Sequence, residues 1–235
     1  MVLLAGFFCL LHRYSGEEDL MVGVPVSGRS PVETEGLIGI FINTLPIRMD
    51  LSGNPSFISL LSRARDASLG AYAHQDLPFD RLVEELQPER KLGRTPLFQV
   101  AFNLQKAPIV DMQLPGLSFN PFEVYRGPAN LDLYLEMEER EQELIGAWEY
   151  DAELFEAETI DQLIVAYQAM LERCCADPEI SLDQFKLPSA LKAKARASRA
   201  RDRKQTVAIA ATFTAEPIAD GLAFWMKELG RPAEI

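Results

Sequence analysis

The chain has 235 residues, 48% of them hydrophobic and 25% charged, which is the balance of an ordinary globular protein with room for one substantial domain and an appendage. Its net charge of −12 argues against nucleic-acid binding as the main role, because phosphate contacts need clustered cations. The three cysteines, Cys9, Cys174 and Cys175, form neither a disulfide framework nor a zinc-ligand spacing.

The first predicted element is an apolar helix over residues 2–13, with Gly16 placed to supply a left-handed cap. It is too short to span a bilayer, and it lacks the basic region and cleavage site of a secretory signal. Together with the low cysteine content, this predicts a cytoplasmic protein without membrane attachment. A domain rarely opens on a bare apolar helix, so we expect the N-terminal part of the fold to be missing.

Two strands and two helices are predicted next. The apolar runs at residues 20–26 and 38–51 indicate strands, and Pro46 disfavours a central position for the second one. Asn54 and Pro55 are typical of the N-cap and first position of a helix. That helix carries its apolar residues on one face: Phe57, Leu60, Leu61, Ala64 and Ala67. Pro78 opens a shorter helix that runs to Leu86.

Residues 97–104 predict another strand, followed by a loop rich in proline and glycine at residues 106–129. Apolar and polar residues then alternate from residue 131 to 138, which predicts a strand with one buried face. Its hairpin partner is residues 144–150, across a turn that contains Glu139, Arg140 and Glu141.

The clearest helix covers residues 160–174, where apolar side chains recur at helical spacing. Residues 189–205 are predicted to be a basic linker, because residues 191–204 contain seven basic residues and one acidic residue, a net +6. Residues 206–235 predict one strand and one helix. These two elements cannot enclose a core, so we expect the truncated start of a following α/β domain.

Few residues offer catalytic chemistry. The chain has two histidines, and it shows no nucleophile elbow, phosphate loop, dinucleotide fingerprint or metal-ligand cluster. His12 ends an apolar helix and is interpreted as a structural or surface residue. His74 lies at a helix-to-loop junction without a visible partner to orient it, which favours a capping or loop role over general-base catalysis.

Three segments in order resemble the late core motifs of the condensation domains of nonribosomal peptide synthetases. They are Ile38-Gly-Ile-Phe-Ile-Asn-Thr-Leu-Pro-Ile-Arg48, His74-Gln-Asp-Leu-Pro-Phe-Asp-Arg-Leu-Val83 and Arg90-Lys-Leu-Gly-Arg-Thr-Pro-Leu-Phe-Gln99. Flanking sequence extends the resemblance over residues 1–188. In the third motif Lys91, Gly93 and Thr95 stand where Asp, Ser and Asn are usual. The family's His-His-x-x-x-Asp-Gly motif, which holds the catalytic histidine, does not occur in the sequence.

The resemblance implies an α/β fold: the C-terminal lobe of a chloramphenicol-acetyltransferase-like fold, incomplete, with a mixed sheet packed by helices. It implies that Asn43, Thr44, His74, Gln75 and Asp76 line or shape a substrate channel between two lobes. A structural role is an equal alternative: Asn43 would satisfy backbone groups between strands, and Asp76 would cap the helix at Pro78. No catalytic, metal-binding or cofactor-binding residue is assigned.

The implied function is amide-bond formation between a carrier-tethered donor thioester and a carrier-tethered acceptor amine. Substrates would arrive on the phosphopantetheine arms of peptidyl and aminoacyl carrier proteins, and no cofactor would bind directly. The other implied partners are the missing N-terminal lobe and neighbouring synthetase modules, with neither nucleic acid nor membrane. Alone, the fragment is expected to be inactive and to expose a broad apolar surface.

Three alternatives stay open. An epimerisation domain or a coenzyme-A-dependent acyltransferase would share the fold. A non-catalytic module that binds carrier proteins or recruits other proteins would be compatible with the acidic body and the basic linker. Residues 206–235 also resemble the start of the haloacid-dehalogenase-like modules of some assembly lines, which would make the parent a multidomain synthase.

Overall fold

The computed structural model describes residues 1–29, 31–88, 94–105, 130–140 and 143–187. The predictions for residues 106–129, 189–205 and 206–235 lie outside these ranges. Helices and strands alternate irregularly along the chain, and the described ranges also contain two 3-10 turns, Val32–Thr34 and Leu182–Gln184. In chain order the elements are α1 Val2–Ser15, β1 Asp19–Val26, β2 Asn43–Asp50, α2 Phe57–Ala73, α3 Phe79–Leu86, β3 Val100–Gln105, β4 Leu133–Arg140, β5 Glu143–Tyr150 and α4 Ala157–Ala176.

The strands form one five-stranded sheet in the order β2-β1-β3-β4-β5. The outer pairs β1–β2 and β4–β5 are antiparallel, whereas β1–β3 and β3–β4 are parallel. The predicted mixed sheet is therefore confirmed. Among the described strands, Pro46 lies in the edge strand β2, where its missing N–H costs no ladder bond to another of them.

Helices α1 and α4 pack together on one face of the sheet, and their aromatic side chains form the centre of the core. The Phe7 ring lies 5.8 Å from that of Phe102 and 5.9 Å from that of Trp148. Tyr167 of α4 completes the group, and its hydroxyl donates a hydrogen bond of 2.8 Å to the Leu3 carbonyl of α1. These two helices are thus tied to each other as well as to the sheet.

The predicted first helix is confirmed, and it extends to Ser15. Gly16 ends it in the left-handed region, at φ 69°, and its N–H donates to the His12 carbonyl at 2.6 Å. Glycine adopts this conformation without the Cβ clash that other residues meet. The alternation predicted for residues 131–138 is also confirmed within β4, where Leu133, Leu135 and Met137 are buried.

The second predicted strand is too long at its start. β2 begins at Asn43, and residues 38–42 form a loop instead. The reason is the partner: β1 ends at Val26, which pairs with Asn43, so no described strand lies beside residues 38–42. Gly28, at φ 63°, turns the chain away there, and any Cβ at this position would collide with the Phe41 carbonyl.

Asn54 is not the N-cap of α2. Its own φ is 49°, and its side-chain oxygen accepts a hydrogen bond of 2.9 Å from the Asp183 N–H. The following residues pair with the end of the described chain, since Phe57 N–H donates to the Ile180 carbonyl at 2.9 Å. This long-range pairing holds Ser56 extended, at φ −70° and ψ 159°, so the helix begins at Phe57.

Two further strand boundaries differ from the prediction. Residues 97–99 precede β3 in a turn, because Leu97 adopts φ 72° and Phe98 N–H donates to the Pro96 carbonyl at 3.0 Å. Leu131 likewise lies in a bend ahead of β4. At the hairpin, β4 continues to Arg140, so residues 139 and 140 belong to the strand and not to the turn. Residues 141 and 142 lie outside the described ranges.

Candidate functional site

The Asn43 side chain joins the first two motifs. Its amide nitrogen donates hydrogen bonds of 2.8 Å to the carbonyls of Gln75 and Leu77, and its amide oxygen accepts one of 2.9 Å from the Phe79 N–H. Two N–H groups and one carbonyl are what a side-chain amide offers, so every donor is used. The start of β2 is thereby fixed to the loop between α2 and α3.

The structural alternative had two parts, a backbone-binding role for Asn43 and a helix-capping role for Asp76. The structure supports the first in a modified form and corrects the second. Asn43 does satisfy backbone groups, as that alternative supposed, but they belong to a loop and a helix end and not to neighbouring strands. The first amide of α3, that of Phe79, binds Asn43, whereas Asp76 was predicted to cap this helix. Asp76 is not needed as a cap because the start of β2 places the Asn43 side chain next to the first N–H group of α3.

The loop at residues 74–78 is held mainly through its backbone. Helix α2 ends at Ala73, and His74 N–H donates to the Ala71 carbonyl at 3.1 Å. Leu77 is buried, whereas His74 and Gln75 are half-buried and Asp76 is exposed. The loop therefore has a fixed path and presents polar side chains at the surface.

Thr44 follows Asn43 in β2 and pairs with Pro25 of β1. Successive residues of a strand point to opposite faces of a sheet, so Thr44 and Asn43 lie on different faces. Of the five predicted site residues, the structure brings Asn43 together with the loop that carries His74, Gln75 and Asp76. Thr44 is adjacent in sequence only.

Arg29 shapes the loop that precedes Asn43. Its guanidinium donates to the carbonyls of Thr34 and Gly39, the latter at 3.1 Å, and its Cζ lies 4.2 Å from the centre of the Phe41 ring. Sequence reasoning missed this residue. Its partners are backbone carbonyls and a ring farther along the chain, and the turn at residues 27–31 gave no signal for them.

The same loop exposes a run of large apolar side chains. We call residues 37–42 the apolar segment. Ile38 is fully exposed and Ile40 is 93% exposed, and Leu37 and Ile42 are also exposed. Isolated exposed apolar residues are common on protein surfaces, but a contiguous run of this kind is either a contact surface or an aggregation hazard. The segment leads directly into Asn43.

The third motif is anchored to the start of β4. The Arg94 guanidinium lies 3.7 Å from the Asp132 carboxylate, and the Asp132 N–H donates to the Gln99 carbonyl at 2.9 Å. Burial raises the pKa of the Asp132 carboxyl, and the Arg94 charge opposes that rise. Thr95 lies in a loop, as predicted, while Lys91 and Gly93 fall outside the described residues. A basic residue inside this motif was the one signal that could have indicated a carboxylate partner.

The remaining reactive side chains have structural surroundings. His12 Nδ1 donates to the Glu17 carbonyl at 2.7 Å, which supports the structural role predicted for it. Burial raises the pKa of Cys9, and it raises the pKa of Cys174 to about 12. A thiol reacts as its thiolate, so neither is a nucleophile near neutral pH.

Metal-binding and membrane-spanning features are both absent from the described ranges. No three His, Cys, Asp or Glu side chains come together there as a metal ion would require. None of the helices in these ranges offers the length of apolar side chains that a bilayer crossing needs.

Comparison with known proteins places this arrangement in a family. The condensation-domain family profile matches residues 1–195. One component of the linear gramicidin synthase of Brevibacillus parabrevis is 47% identical over 180 residues, which are 76% of this chain and 2% of that protein. The phosphinothricin tripeptide synthetase of Streptomyces viridochromogenes is 43% identical over 198 residues, covering 80% of this chain and 16% of that protein. The chain thus spans only a small part of these relatives.

Solved structures agree with the sequence comparison. A four-domain nonribosomal peptide synthetase bound to AMP and glycine is 27% identical, with a TM-score of 0.72, over 80% of this chain and 16% of that one. The teicoplanin X-domain in complex with OxyB is 29% identical, with a TM-score of 0.70, over 80% of this chain and 42% of that one. These matches confirm the predicted fold, and the chain belongs to the condensation-domain family of nonribosomal peptide synthetases.

Proposed function

We propose that this chain supplies the C-terminal lobe of a condensation domain that forms an amide bond between two carrier-bound substrates. The observation that carries the proposal is the Asn43 side chain, which unites two motif segments of this family at one end of the sheet. The family match over residues 1–195 supports it. Structures of related domains are covered only to 42% or 43%, which leaves room for a second lobe.

The reaction is acyl transfer from a thioester. The acceptor amine nitrogen attacks the donor carbonyl carbon, the new C–N bond forms, and the C–S bond breaks. The donor's phosphopantetheine arm leaves as a thiol, with the proton that the amine loses. A positioned general base contributes roughly 10²–10⁴-fold to such a step. The histidine motif that supplies it in this family is not in this sequence, so we expect this chain alone to be inactive.

Within the complete domain, Asn43, Thr44, His74, Gln75 and Asp76 would line or shape the substrate channel. Asn43 would shape the channel indirectly, because both of its amide donors bind the loop and its oxygen binds the Phe79 N–H. Gln75 and Asp76 are the better candidates for direct contact with a substrate arm, since one is half-buried and the other exposed. Both lie on a loop whose path the backbone fixes.

The apolar segment would pack against the N-terminal lobe. Four of its side chains, Leu37, Ile38, Ile40 and Ile42, are exposed in this structure. Covering one such side chain is worth about 1.5–3 kcal/mol, so the group could supply a substantial part of a lobe-to-lobe contact. The other partners would be peptidyl and aminoacyl carrier proteins and neighbouring synthetase modules. We propose that no cofactor binds directly and that assembly occurs in the cytoplasm.

Reconstitution of the complete domain tests this proposal. The chain is combined with an N-terminal lobe taken from the related linear gramicidin synthase, and with two carriers loaded with different amino acids. Intact-protein mass spectrometry then follows transfer of the donor to the acceptor carrier. We expect a dipeptidyl carrier only when both lobes are present. A variant lobe without its motif histidine is the matched control.

Two results would contradict the proposal. One is dipeptide formation by this chain alone. The other is a stable two-lobe complex, verified by light scattering, that transfers no acyl group. Inversion of a carrier-bound residue or acylation of a free coenzyme-A acceptor in the same assay would indicate the epimerisation or acyltransferase alternatives.

A non-catalytic protein-binding module is the second candidate function. It is favoured by the 29% identity and TM-score of 0.70 to the teicoplanin X-domain, whose structure was solved in complex with OxyB. Binding without acyl transfer separates the two candidates. Carrier proteins or tailoring enzymes retained by the two-lobe complex at micromolar concentration, with no dipeptide formed, would favour this second function.

A further inference from the structure

A groove runs along helix α4 and ends beside the last described residues. It has a volume of about 440 Å³ and is bounded by α4 on one side and by residues 185–187 on the other. Its lining is mainly apolar and includes Val165, Ala166, Met170, Phe185 and Leu187. Val165 is 65% exposed, so an apolar wall faces solvent here. The groove shares no lining residue with the loop that Asn43 holds and plays no part in the function proposed above.

We propose that the basic linker, residues 189–205, binds in this groove of its own chain. The linker begins beside the groove, because Leu187 lines the groove and only Pro188 separates it from residue 189. Its first part alternates apolar with basic residues: Leu191, Lys192, Ala193, Lys194, Ala195 and Arg196. In an extended chain, alternate side chains point to opposite sides. The apolar set would face the groove floor and the basic set its rim.

The far end of the groove carries the charge that such a segment needs. Glu158 and Asp161 line it there, opposite in sign to the linker's net +6 over residues 191–204. Two basic residues, Lys186 and Arg173, also line the groove, beside the linker's origin. Arg173 donates to the Gln184 carbonyl at 3.3 Å, and its Cζ lies 6.0 Å from the centre of the Phe185 ring. The groove thus presents its carboxylates at a distance from the linker's origin.

The linker has the length to reach those carboxylates. Arg173 and Glu158 lie fifteen residues apart in α4, and at about 1.5 Å per residue the helix covers about 22 Å between them. An extended chain advances about 3.3 Å per residue, so about seven residues span the same distance. Counted from Phe185, whose ring lies beside Arg173, seven residues reach Lys192, so Lys192 and the nearby Lys194 come to the end of the groove that carries Asp161 and Glu158. Their aliphatic stems can lie along the apolar wall while the ammonium groups meet the carboxylates.

Limited proteolysis of the full chain tests the charge contact. Trypsin cleavage after Lys192 and Lys194 is timed by mass spectrometry in the wild type and in the double variant Glu158→Gln/Asp161→Asn, which adds no new trypsin site. Exposed charge pairs are weak, so we expect cleavage at these two bonds to accelerate by about threefold. The matched control Glu153→Gln/Glu172→Gln removes two exposed carboxylates outside the groove and should leave these rates unchanged. Equal rates in all three proteins would overturn the proposal.

A crosslinking experiment identifies the occupant directly. The photoreactive amino acid benzoylphenylalanine replaces Val165 in the full chain, and crosslinked peptides are mapped after illumination. We expect bonds within one chain, to residues 189–197. Crosslinks found only between two copies, or found within one chain only to residues outside the linker, would overturn the proposal.

Discussion

Asn43 shows how much one side chain can fix. It makes three hydrogen bonds, and all three partners are main-chain groups on a loop and on the first turn of α3. An unsatisfied polar group in a protein interior costs more than the hydrogen bond that it loses. The start of β2, the loop at residues 74–78 and the start of α3 therefore depend on a single side-chain amide.

Replacing Asn43 by Ala should destabilise the fold by about 2–3 kcal/mol, because the loop loses two donors and the helix loses its cap. Asn43→Asp should recover only the acceptor to Phe79 and remain destabilised. Urea unfolding followed by circular dichroism measures both. Thr44→Val serves as the control at the neighbouring position. Equal unfolding midpoints for Asn43→Ala and Thr44→Val would show that the three bonds contribute little.

The cysteines give a second prediction at this scale. Burial holds Cys9 and Cys174 in the thiol form, with the pKa of Cys174 raised to about 12, whereas Cys175 is exposed. The thiolate is the reactive species, and at pH 8 a pKa near 12 leaves a thiolate fraction on the order of 10⁻⁴.

Iodoacetamide at pH 8 should therefore add one group to the native chain, at Cys175, and three to the chain in urea. Peptide mass spectrometry counts the additions and locates them. Rapid native modification of Cys174 would contradict the packing of α4 described above.

At the scale of elements, α1 and α4 are joined through the aromatic cluster that covers the sheet. Phe7 is fully buried and contacts side chains from β3, β5 and α4. A residue that touches so many elements contributes to each of their contacts. The sheet and both of these helices should consequently unfold as one unit.

Phe7→Ala should cost about 3–5 kcal/mol, the range for removing a buried aromatic ring. Val2→Ala, at an exposed position of the same helix, is the control and should change stability by less than about 0.5 kcal/mol. Differential scanning calorimetry measures both variants. A single lowered transition is expected for Phe7→Ala, and a split transition would mean that α1 unfolds separately.

Local pattern predicted most of these elements, and distant partners set the boundaries that it missed. Helices α1 and α4 and the strand β4 follow from apolar spacing within each segment. The start of β2 depends on where β1 ends, and the start of α2 depends on pairing with residues 180–183. Asn43 was identified through a family resemblance, but its loop partners needed three-dimensional coordinates. Arg29 carried no sequence signal because its partners include backbone carbonyls.

Arg29→Ala should loosen the loop at residues 31–42, since it removes two hydrogen bonds and the contact with the Phe41 ring. Hydrogen exchange measured by mass spectrometry should show about tenfold faster exchange of amides in that loop, with β1 and α2 unaffected. Arg65→Ala, at an exposed position of α2, is the control. Unchanged loop exchange in Arg29→Ala would indicate that the turn at Gly28 holds the loop without the arginine.

The whole molecule combines a well-packed sheet and helix layer with an exposed apolar segment. The side chains of Leu37, Ile38, Ile40 and Ile42 face solvent in this structure, although Leu45 and Ile47 of the adjoining β2 are buried. An exposed run of this kind is a contact surface or an aggregation hazard. The family assignment favours the first interpretation.

The isolated chain should therefore self-associate, and the double variant Ile38→Ser/Ile40→Ser should shift it towards monomer by about tenfold in dissociation constant. Sedimentation velocity over a range of concentrations measures this. Ile58→Ser/Leu69→Ser, two exposed apolar positions on α2, is the matched control. A wild-type chain that stays monomeric at roughly 100 μM would contradict the assignment of this surface.

The way in which the 74–78 loop is held has a consequence for change over evolutionary time. Asn43 hydrogen-bonds only to carbonyl and amide groups of the main chain. These bonds therefore do not depend on the side chains of Gln75 and Asp76. Substitutions at these two positions can therefore change the side chains that the loop presents without breaking the hydrogen bonds that hold it. Most members of a library randomised at both positions should therefore still fold. Such a library is a suitable starting point for selecting variants with altered substrate preference.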